Sequence, residues 1–259
     1  LAQDHKAAPL NTFTIGSDST NHDESEEARA FAEAIGSCFH LSHMDNWQAE
    51  GLLDKVMQAT TEPFADFSII PTYLVSEFAR SKVTVALSGD GGDELFFGYE
   101  RFWSVLKNLP YRKIPPRLRY WAYGLDRVIT RNQNMNGALM APTLGQAHQN
   151  LHSRFAGQHL EKIFPDLQGI AYPNSFRTYD YKDSPSELQM LKKMQQAEFY
   201  GMMQKTLRKV DQASMGNSLE VRVPFLKKRF IEAALKVSPY LSYGANQRKT
   251  ILRTLLKRE

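Results

Sequence analysis

A glycine-rich acidic turn that follows a short apolar run constrains this chain more than any other feature. The apolar run is Val83–Leu87, and its β-branched residues are typical of a buried strand. The turn reads Ser-Gly-Asp-Gly-Gly-Asp-Glu over residues 88–94. Glycines at this density allow positive φ or a close approach of the backbone to a ligand. Because ligands of open α/β sheets bind where strands end and helices begin, the pattern predicts a binding site here.

The two aspartates of the turn, Asp90 and Asp93, indicate what it binds. Like charges beside a phosphate-sized cradle are stabilised by a cation between them, and carboxylate oxygens favour Mg²⁺. The other interpretation is structural, since acidic residues at a helix start gain about 0.3–1 kcal/mol from the helix dipole. The turn therefore predicts a metal and phosphate site, with simple helix capping as the alternative.

Strand-like and helix-like segments alternate in the first part of the chain, which is typical of βαβ units on a parallel sheet. Beyond Tyr99 the strand signals fade and prolines interrupt helix-like segments. We therefore predict an α/β part over residues 1–99 and a mainly helical part over 100–259, helical to its end. The predicted strands are 10–16, 39–42 and 83–87, and the predicted helices are 24–35, 47–60 and 72–80, with a loop between Pro63 and Pro71.

The overall composition is that of an ordinary globular protein. Of the 259 residues, 42% are hydrophobic and 23% charged, and the net charge is +4. This modest charge fits an anionic small substrate such as ATP and does not by itself favour nucleic acid. No apolar run approaches the roughly 20 residues that span a bilayer. Because Cys38 is the single cysteine, no internal disulfide can form, and we expect a cytoplasmic protein. From the modest charge and the short apolar runs, we expect no nucleic-acid or membrane partner.

Three segments together resemble the asparagine synthase family. Residues 88–102, SGDGGDELFFGYERF, resemble one of its signatures. Residues 207–226, LRKVDQASMGNSLEVRVPFL, are similar to its KxDRxSMxxSLExRxPFLD pattern, and residues 246–253 resemble its GxxKxxLR stretch. The second segment departs from the pattern at Lys227, where the family has aspartate. The resemblance implies a parallel sheet of the adenine-nucleotide α-hydrolase (ATP pyrophosphatase) type with a helical C-terminal half.

The activity that the resemblance implies is a carbon–nitrogen ligase reaction. The synthetase part of a glutamine-hydrolysing asparagine synthetase adenylates the side-chain carboxylate of aspartate and releases pyrophosphate. Ammonia then displaces AMP to give asparagine, with ATP and Mg²⁺ as cofactors. Two alternatives stay open. One is a related amide ligase acting on a peptide, a sugar acid or a β-amino acid that cyclises to a lactam. The other is a catalytically inactive interaction module, which Lys227 favours.

Roles for individual residues follow from the same resemblance. Asp90 and Lys249 are the expected catalytic residues, Asp90 near the reacting carboxylate and Lys249 beside the adenylating phosphates. Asp93 is the expected Mg²⁺ ligand, and Tyr99 is expected to serve packing. A basic helix end is the alternative interpretation of Lys249. Nucleotide binding is expected at Ile15, Ser88, Gly89, Asp93 and Glu94, and a structural ion network is expected among Asp211, Glu220 and Arg222.

The family also has parts that this sequence lacks. Its SGGxDS loop is expected directly before Leu1, and a glutaminase domain with a nucleophilic cysteine before that; Cys38 lies too far along the chain to serve. A further segment is expected past Glu259. We therefore expect a fragment truncated at both ends and inactive alone. Its expected partner is the glutaminase domain of the parent chain, which supplies ammonia from glutamine, and a homodimer is compatible with the resemblance.

Histidines and basic residues elsewhere carry weaker signals. Cys38, His40 and His43 are metal-ligand types, but their tight spacing lacks the second pair of a zinc site. His148 and His152 lie four residues apart with no acidic residue beside them in sequence, so a surface helix is expected there. The basic, aromatic stretch 101–131 is interpreted as side chains that cover an apolar face rather than as a polyanion site.

Overall fold

The computed structural model divides into two compact units. The first comprises residues 1–89 and 205–224, and the second residues 90–204 and 225–259. Much of the stretch 101–131, and Asn246 in the third motif, lie outside the described residues. The structure describes residues 2–5, 7–18, 23–62, 64, 66–107, 112–115, 117–119, 121, 141–152, 163–167, 174–244 and 247–257.

The first unit opens with a strand, a helix and a strand. β1 (Asn11–Ser17) and β2 (Cys38–Met44) pair in parallel along their full lengths, and α1 (Ser25–Ala34) lies between them in sequence. Parallel neighbours need such a crossover, because a tight hairpin can join only antiparallel strands. This arrangement confirms the βαβ unit that the alternating sequence pattern predicted.

Two helices that follow β2 form the core of the first unit. α2 (Asn46–Ala59) contributes Leu52 and Val56, and α3 (Ile69–Arg80) contributes Ile69 and Tyr73. α3 begins three residues before the predicted start at Thr72, so the expected loop ending at Pro71 is wrong there. Proline is tolerated in the first turn of a helix because the amide hydrogens there have no partner within the helix.

A second parallel pair includes the strand that precedes the acidic turn. β3 (Val85–Leu87) pairs with β4 (Glu220–Arg222), Val85 opposite Glu220. The prediction that the chain is helical from residue 100 to its end is therefore wrong at β4. The Glu-Val-Arg run of β4 is too short and too polar to show strand periodicity. Its strand state comes from hydrogen bonds to a partner far away in the sequence.

Helices dominate the second unit. Its core contains Phe97, Phe102, Leu144, Leu191 and Met194. Two of the helices begin at side-chain caps, where the hydroxyls of Thr143 and Ser186 accept hydrogen bonds from backbone amides. In order the helices are α4 (Gly92–Phe96), α5 (Glu100–Lys107), α6 (Leu144–Asn150) and α7 (Glu187–Ala197), followed by a π-helical turn (Glu198–Met202) and α8 (Met203–Met215), which continues into the first unit.

The last part of the chain returns to the second unit. It comprises α9 (Lys228–Lys236), α10 (Pro239–Ser242) and α11 (Thr250–Leu256), with an antiparallel pair, β5 (Tyr243–Gly244) and β6 (Gln247–Arg248), before α11. The described chain is thus a mixed α/β protein with small parallel sheets, which agrees with the predicted α/β fold class. None of the helices described here is both long and apolar enough to cross a bilayer.

Candidate functional site

The glycine-rich turn has a backbone geometry that favours glycine. Gly91 has φ 88° and Phe97 has φ 58°, so left-handed residues flank the short helix α4. A Cβ on Gly91 would lie 2.9 Å from Cδ2 of Leu226, which is closer than real Cβ contacts come. The left-handed backbone therefore favours glycine at position 91, and a Cβ there would also require the Leu226 side chain to shift. Asp90, directly before it, is half-buried.

Asp93 and Lys249 form an ion pair beside the turn. The distance from Nζ of Lys249 to Oδ1 of Asp93 is 2.9 Å, and the side chains are 34% and 37% exposed. Gly98 lies directly against this pair. A Cβ on Gly98 would lie 1.6 Å from Oδ1 of Asp93 and 2.5 Å from Cε of Lys249. The structure thus brings together the predicted Mg²⁺ ligand and the predicted phosphate-neutralising lysine, which are far apart in sequence.

Three further predicted residues lie in the first unit. Ile15 is a half-buried residue of β1. Ser88 continues the parallel pairing beyond β3, because its backbone amide donates to the carbonyl of Arg222 at 2.9 Å. Gly89 is exposed, and among the described residues no atom beyond its two chain neighbours lies within 4 Å of the place that a Cβ would take. None of these residues therefore blocks a close approach to the backbone at Gly89.

Glu94 is a buried carboxyl group inside the motif. It is 1% exposed, and the hydroxyl of Tyr99 donates to its Oε1 at 2.6 Å. Burial raises the pKa of Glu94, and the nearby charge of Asp93 acts in the same direction, while the hydrogen bond from Tyr99 opposes them. Burial also raises the pKa of Tyr99, so this phenol remains a donor.

Tyr99 also connects the motif to a buried ion pair. The guanidinium of Arg101 lies 3.5 Å from the centroid of the Tyr99 ring. It donates from Nε and Nη2 to the two oxygens of Glu198, both at 2.6 Å. The expectation that Tyr99 serves only packing therefore misses a polar role. Tyr99 and Arg101 belong to the first motif, but the contact of Arg101 with Glu198 could not be inferred from the sequence, because the two residues are 97 positions apart.

The surface helix expected at His148 and His152 is wrong. His148 is fully buried on α6, and its Nε2 lies 2.6 Å from Oε1 of Glu198. Nε2 of His152 lies 2.9 Å from the same oxygen. Burial lowers the pKa of His148. Burial would raise the pKa of Glu198, but hydrogen bonds from Arg101 and the two imidazoles hold it well below its usual value. The acidic companion that the local sequence lacks thus comes from a distant segment.

A smaller polar cluster precedes α3 in the first unit. Asp66 Oδ1 accepts from the backbone amide of Ser68 at 3.1 Å and from its hydroxyl at 2.6 Å. Nζ of Lys205 lies 2.9 Å from Asp66 Oδ2, and Lys209 donates to the Ser68 hydroxyl at 3.1 Å. Burial raises the pKa of Asp66, but the hydrogen bonds from Ser68 and Lys205 outweigh it, so the pKa lies below its usual value.

The ion network expected in the second motif is a surface pair. Nε of Arg222 lies 2.8 Å from Oε1 of Glu220, with both side chains more than half exposed. Such a pair adds little to stability. Asp211 and Glu220 both line an open cavity of about 520 Å³ in the first unit, together with Val210 and Val221.

Comparison with known proteins identifies the family. The family model for asparagine synthase matches residues 1–259, the whole chain. The chain therefore belongs to the asparagine synthase family. This confirms the resemblance carried by the three motifs.

Curated relatives carry the same family name. Over 255 residues the chain is 32% identical to asparagine synthetase [glutamine-hydrolyzing] 1 of Bacillus subtilis (strain 168), covering 94% of this chain and 39% of the relative. It is 28% identical over 252 residues to a putative asparagine synthetase [glutamine-hydrolyzing] of Mycobacterium tuberculosis (strain ATCC 25618 / H37Rv), covering 96% of this chain and 38% of that protein. The chain thus spans about two fifths of the length of these relatives.

Proposed function

We propose that this chain is the synthetase part of an ATP-dependent asparagine synthetase that takes its ammonia from glutamine. The observation that carries the proposal is the Asp93–Lys249 pair at the glycine-rich turn, in a chain that belongs to the asparagine synthase family. The relatives' names support the substrate and the amide donor. An adenine-nucleotide α-hydrolase fold is proposed with it, supported by the parallel strand pairs of the first unit.

The proposed reaction has two steps. First, an oxygen of the aspartate side-chain carboxylate attacks the α-phosphorus of ATP, and pyrophosphate leaves. Ammonia then attacks the acyl carbon of the adenylate, AMP leaves, and the nitrogen loses a proton to give asparagine. The protein must therefore bind two anionic substrates together and neutralise the charge that collects on the departing phosphates.

Lys249 is the residue proposed to neutralise the phosphates. A lysine ammonium is a compact charge on a flexible stem, which suits a group whose charge grows while a bond breaks. Asp93 contacts that ammonium through Oδ1. We propose that the phosphates compete with Asp93 for Lys249, and that Asp90 lies beside the reacting carboxylate.

The donor set of the turn fits a magnesium ion. Asp90 and Asp93 supply hard oxygen donors, and a carboxylate has about four lone-pair sites, so the contact of Lys249 with one oxygen leaves others for a metal. Asp93 is the proposed ligand, and Mg²⁺ bound there would neutralise pyrophosphate charge. The nucleotide contacts are proposed for Ile15, Ser88, Gly89, Asp93 and Glu94.

The organisation proposed for the whole protein follows its relatives. Residues 1–99 would form the α/β nucleotide-binding part and residues 100–259 the mainly helical part of a synthetase domain. A glutaminase domain of the parent chain would supply ammonia, in the cytoplasm, and a homodimer is compatible with this organisation. Free ammonia could replace glutamine as the nitrogen source.

The test uses the longer protein that contains this chain and has the length of its relatives. It measures whether that protein releases pyrophosphate only when aspartate is present together with ATP, Mg²⁺ and ammonia. We expect Asp93→Asn to abolish the activity, whereas Asp54→Asn, on the exposed surface of α2, leaves it unchanged. Pyrophosphate release that needs a different carboxylate would favour a related amide ligase. Release that is unaltered by Asp93→Asn would count against the site, and no release with any carboxylate would favour an inactive interaction module.

The 259-residue chain alone is proposed to be inactive. The SGGxDS loop that the family uses for pyrophosphate is not among its residues. We therefore expect no aspartate-dependent pyrophosphate release from this chain under conditions where the longer protein turns over. Turnover by the 259-residue chain would disprove this part of the proposal.

A further inference from the structure

A buried cluster of ligand-type side chains lies in the second unit and uses none of the residues proposed for adenylation. It consists of His148, His152 and Glu198. Within the described part of the chain, these are the three whose ligand atoms all lie within 4.8 Å of one another. His148 and Glu198 are completely buried, and the side chain of His152 is 14% exposed.

The contacts around one carboxylate oxygen exceed its lone pairs. Oε1 of Glu198 has Nε of Arg101 at 2.6 Å, Nε2 of His148 at 2.6 Å and Nε2 of His152 at 2.9 Å. An oxygen of a carboxylate has two lone pairs. Arg101 takes one of them in its two-point contact with Glu198, so the two imidazoles compete for the other.

A metal ion between these atoms would remove that competition. It would bond to both imidazole nitrogens and to the oxygen, and neither ring would need to donate a proton to Glu198. Each ring would then carry its proton on Nδ1. Nδ1 of His148 already has a partner for it, since the hydroxyl of Tyr181 lies 2.8 Å away and can accept. Hydrogen bonds of this kind orient histidine ligands in metal sites.

The positions of the three residues also suit a metal site. His148 lies on α6 and His152 in the turn that follows it, and both rings reach Oε1 of Glu198. Glu198 begins the π-helical turn that follows α7, and such turns are frequent at functional sites. The hydroxyl of Tyr179 lies 3.2 Å from Nε2 of His152 and contributes a second polar group to the cluster.

We propose that His148, His152 and Glu198 form a binding site for a divalent transition-metal ion of the Zn²⁺ type, with Nε2 of each histidine and Oε1 of Glu198 as ligands. Two imidazoles and one carboxylate suit Zn²⁺ and disfavour Mg²⁺, which prefers oxygen ligands. In a tetrahedral site with bonds of about 2.0–2.1 Å, ligand atoms lie roughly 3.3 Å apart. Metal binding therefore requires the imidazole nitrogens to move away from Oε1 by roughly half an ångström, while Arg101 keeps its contact with Glu198.

The test begins with the 259-residue chain, freed of metal with a chelator and titrated with Zn²⁺ or Co²⁺. We expect one equivalent of Zn²⁺ to bind, and one equivalent of Co²⁺ to give the intense visible absorption of a four-coordinate site. Zinc X-ray absorption of the loaded wild-type chain should show two imidazole ligands. This measurement needs no variant and so does not depend on whether a mutant folds.

A matched pair of variants assigns the site. His152→Gln changes the least buried ligand, so we expect it to fold and to weaken Co²⁺ binding by about tenfold or more. His43→Gln is the control, because His43 also contacts a carboxylate, that of Asp18 at 2.7 Å, but on the exposed surface of the first unit. Circular dichroism of both metal-free variants checks that they fold.

Three outcomes would overturn the proposal. They are substoichiometric zinc after dialysis, a zinc absorption spectrum without imidazole scattering, and equal Co²⁺ affinity in wild type and His152→Gln. The last outcome would indicate adventitious binding at surface groups such as the exposed Cys38. The cluster would then be a buried network of hydrogen bonds in which Arg101 and the imidazoles neutralise Glu198.

Discussion

Oδ1 of Asp93 and Nζ of Lys249 lie 2.9 Å apart beside a residue that has no side chain. Gly98 is buried, and the carboxylate of Asp93 occupies the place where its Cβ would be. Gly98, near the end of the first motif, therefore lies against the ion pair that Asp93, earlier in the same motif, forms with Lys249. The glycine acts here through close packing rather than through a left-handed backbone.

We expect Gly98→Ala to disrupt this ion pair. The new methyl group would overlap Oδ1 of Asp93, and such overpacking in buried surroundings costs about 1–3 kcal/mol. Urea unfolding of the 259-residue chain should show that loss. In the longer protein, aspartate-dependent pyrophosphate release should also fall sharply, because both partners of the pair must move.

Gly51→Ala is the matched control for Gly98→Ala. Gly51 lies inside α2, and in the described part of the chain no atom outside its neighbours and the helix's own backbone lies within 4 Å of the place that a Cβ would take there. Alanine at this position should stabilise the helix by roughly 0.5–1 kcal/mol. If the two variants had equal unfolding free energies, the close packing of Gly98 against Asp93 would be refuted.

Lys227 is one of the positions where the chain departs from its family patterns, and the structure gives this departure a physical consequence. Lys227 is the N-cap residue of α9, and it makes no side-chain capping hydrogen bond. An aspartate at an N-cap accepts hydrogen bonds from the free amides of the first turn and suits the helix dipole. Lysine can do neither. The substitution therefore costs helix stability.

We predict that Lys227→Asp raises the free energy of unfolding by about 1 kcal/mol. Lys236→Asp, at the exposed C-terminal end of the same helix, makes the same charge change where the dipole favours a cation, and should destabilise by about 0.3–1 kcal/mol. Urea unfolding of both variants measures the difference. Equal effects of the two changes would show that net charge, not the cap, is responsible.

Asp66 makes the stability of the first unit depend on pH in the acid range. Its folded-state pKa lies below the ordinary value because of Ser68 and Lys205. The stabilisation is therefore complete above the ordinary pKa of an aspartate and is lost as the pH falls through the lowered value. We expect Asp66→Asn to lower stability at neutral pH and to make it fall less steeply in acid.

The control for Asp66→Asn is Asp54→Asn, on the exposed face of α2. Denaturant midpoints measured from neutral pH into the acid range give the slope for each protein. A slope for Asp66→Asn that matched the wild type would rule out a stabilising role for the pair with Lys205.

The predictability of this fold from sequence depended on how local each signal was. β1, α1 and β2 could be predicted because periodicity and the intervening turns lie within the segment itself. β4 could not, because three residues become a strand only through pairing with β3. α3 was predicted too short for a different reason. Pro71 is a break signal in the sequence, but proline is tolerated in the first turn of a helix.

The site followed the same rule. The motifs predicted Asp93 and Lys249, and the structure places these two in contact. Gly98 could not be recognised as part of that site, because only the folded chain shows how closely Asp93 packs against it. Glu198 could not be predicted at all, because no local pattern connects it with His148 or Arg101. Buried polar networks assembled from distant segments have no sequence period to reveal them.

Tyr99→Phe tests whether the motif depends on the buried hydrogen bond to Glu94. Removing the phenol hydroxyl leaves a buried carboxylate without its donor, which costs about 1–3 kcal/mol. Burial raises the folded-state pKa of Glu94 above its ordinary value. Its protonated form is therefore favoured in the folded protein, and the stability that this brings is lost as the pH rises through the raised pKa. Loss of the donor raises that pKa further, so Tyr99→Phe should be more destabilising at pH 8 than at pH 5.

Tyr240→Phe, a change at an exposed position, is the control and should be neutral at both pH values. Urea unfolding at the two pH values makes the comparison. No loss at either pH would mean that Tyr99 acts through its ring alone, and an equal loss at both would mean that the hydrogen bond does not depend on the charge of Glu94.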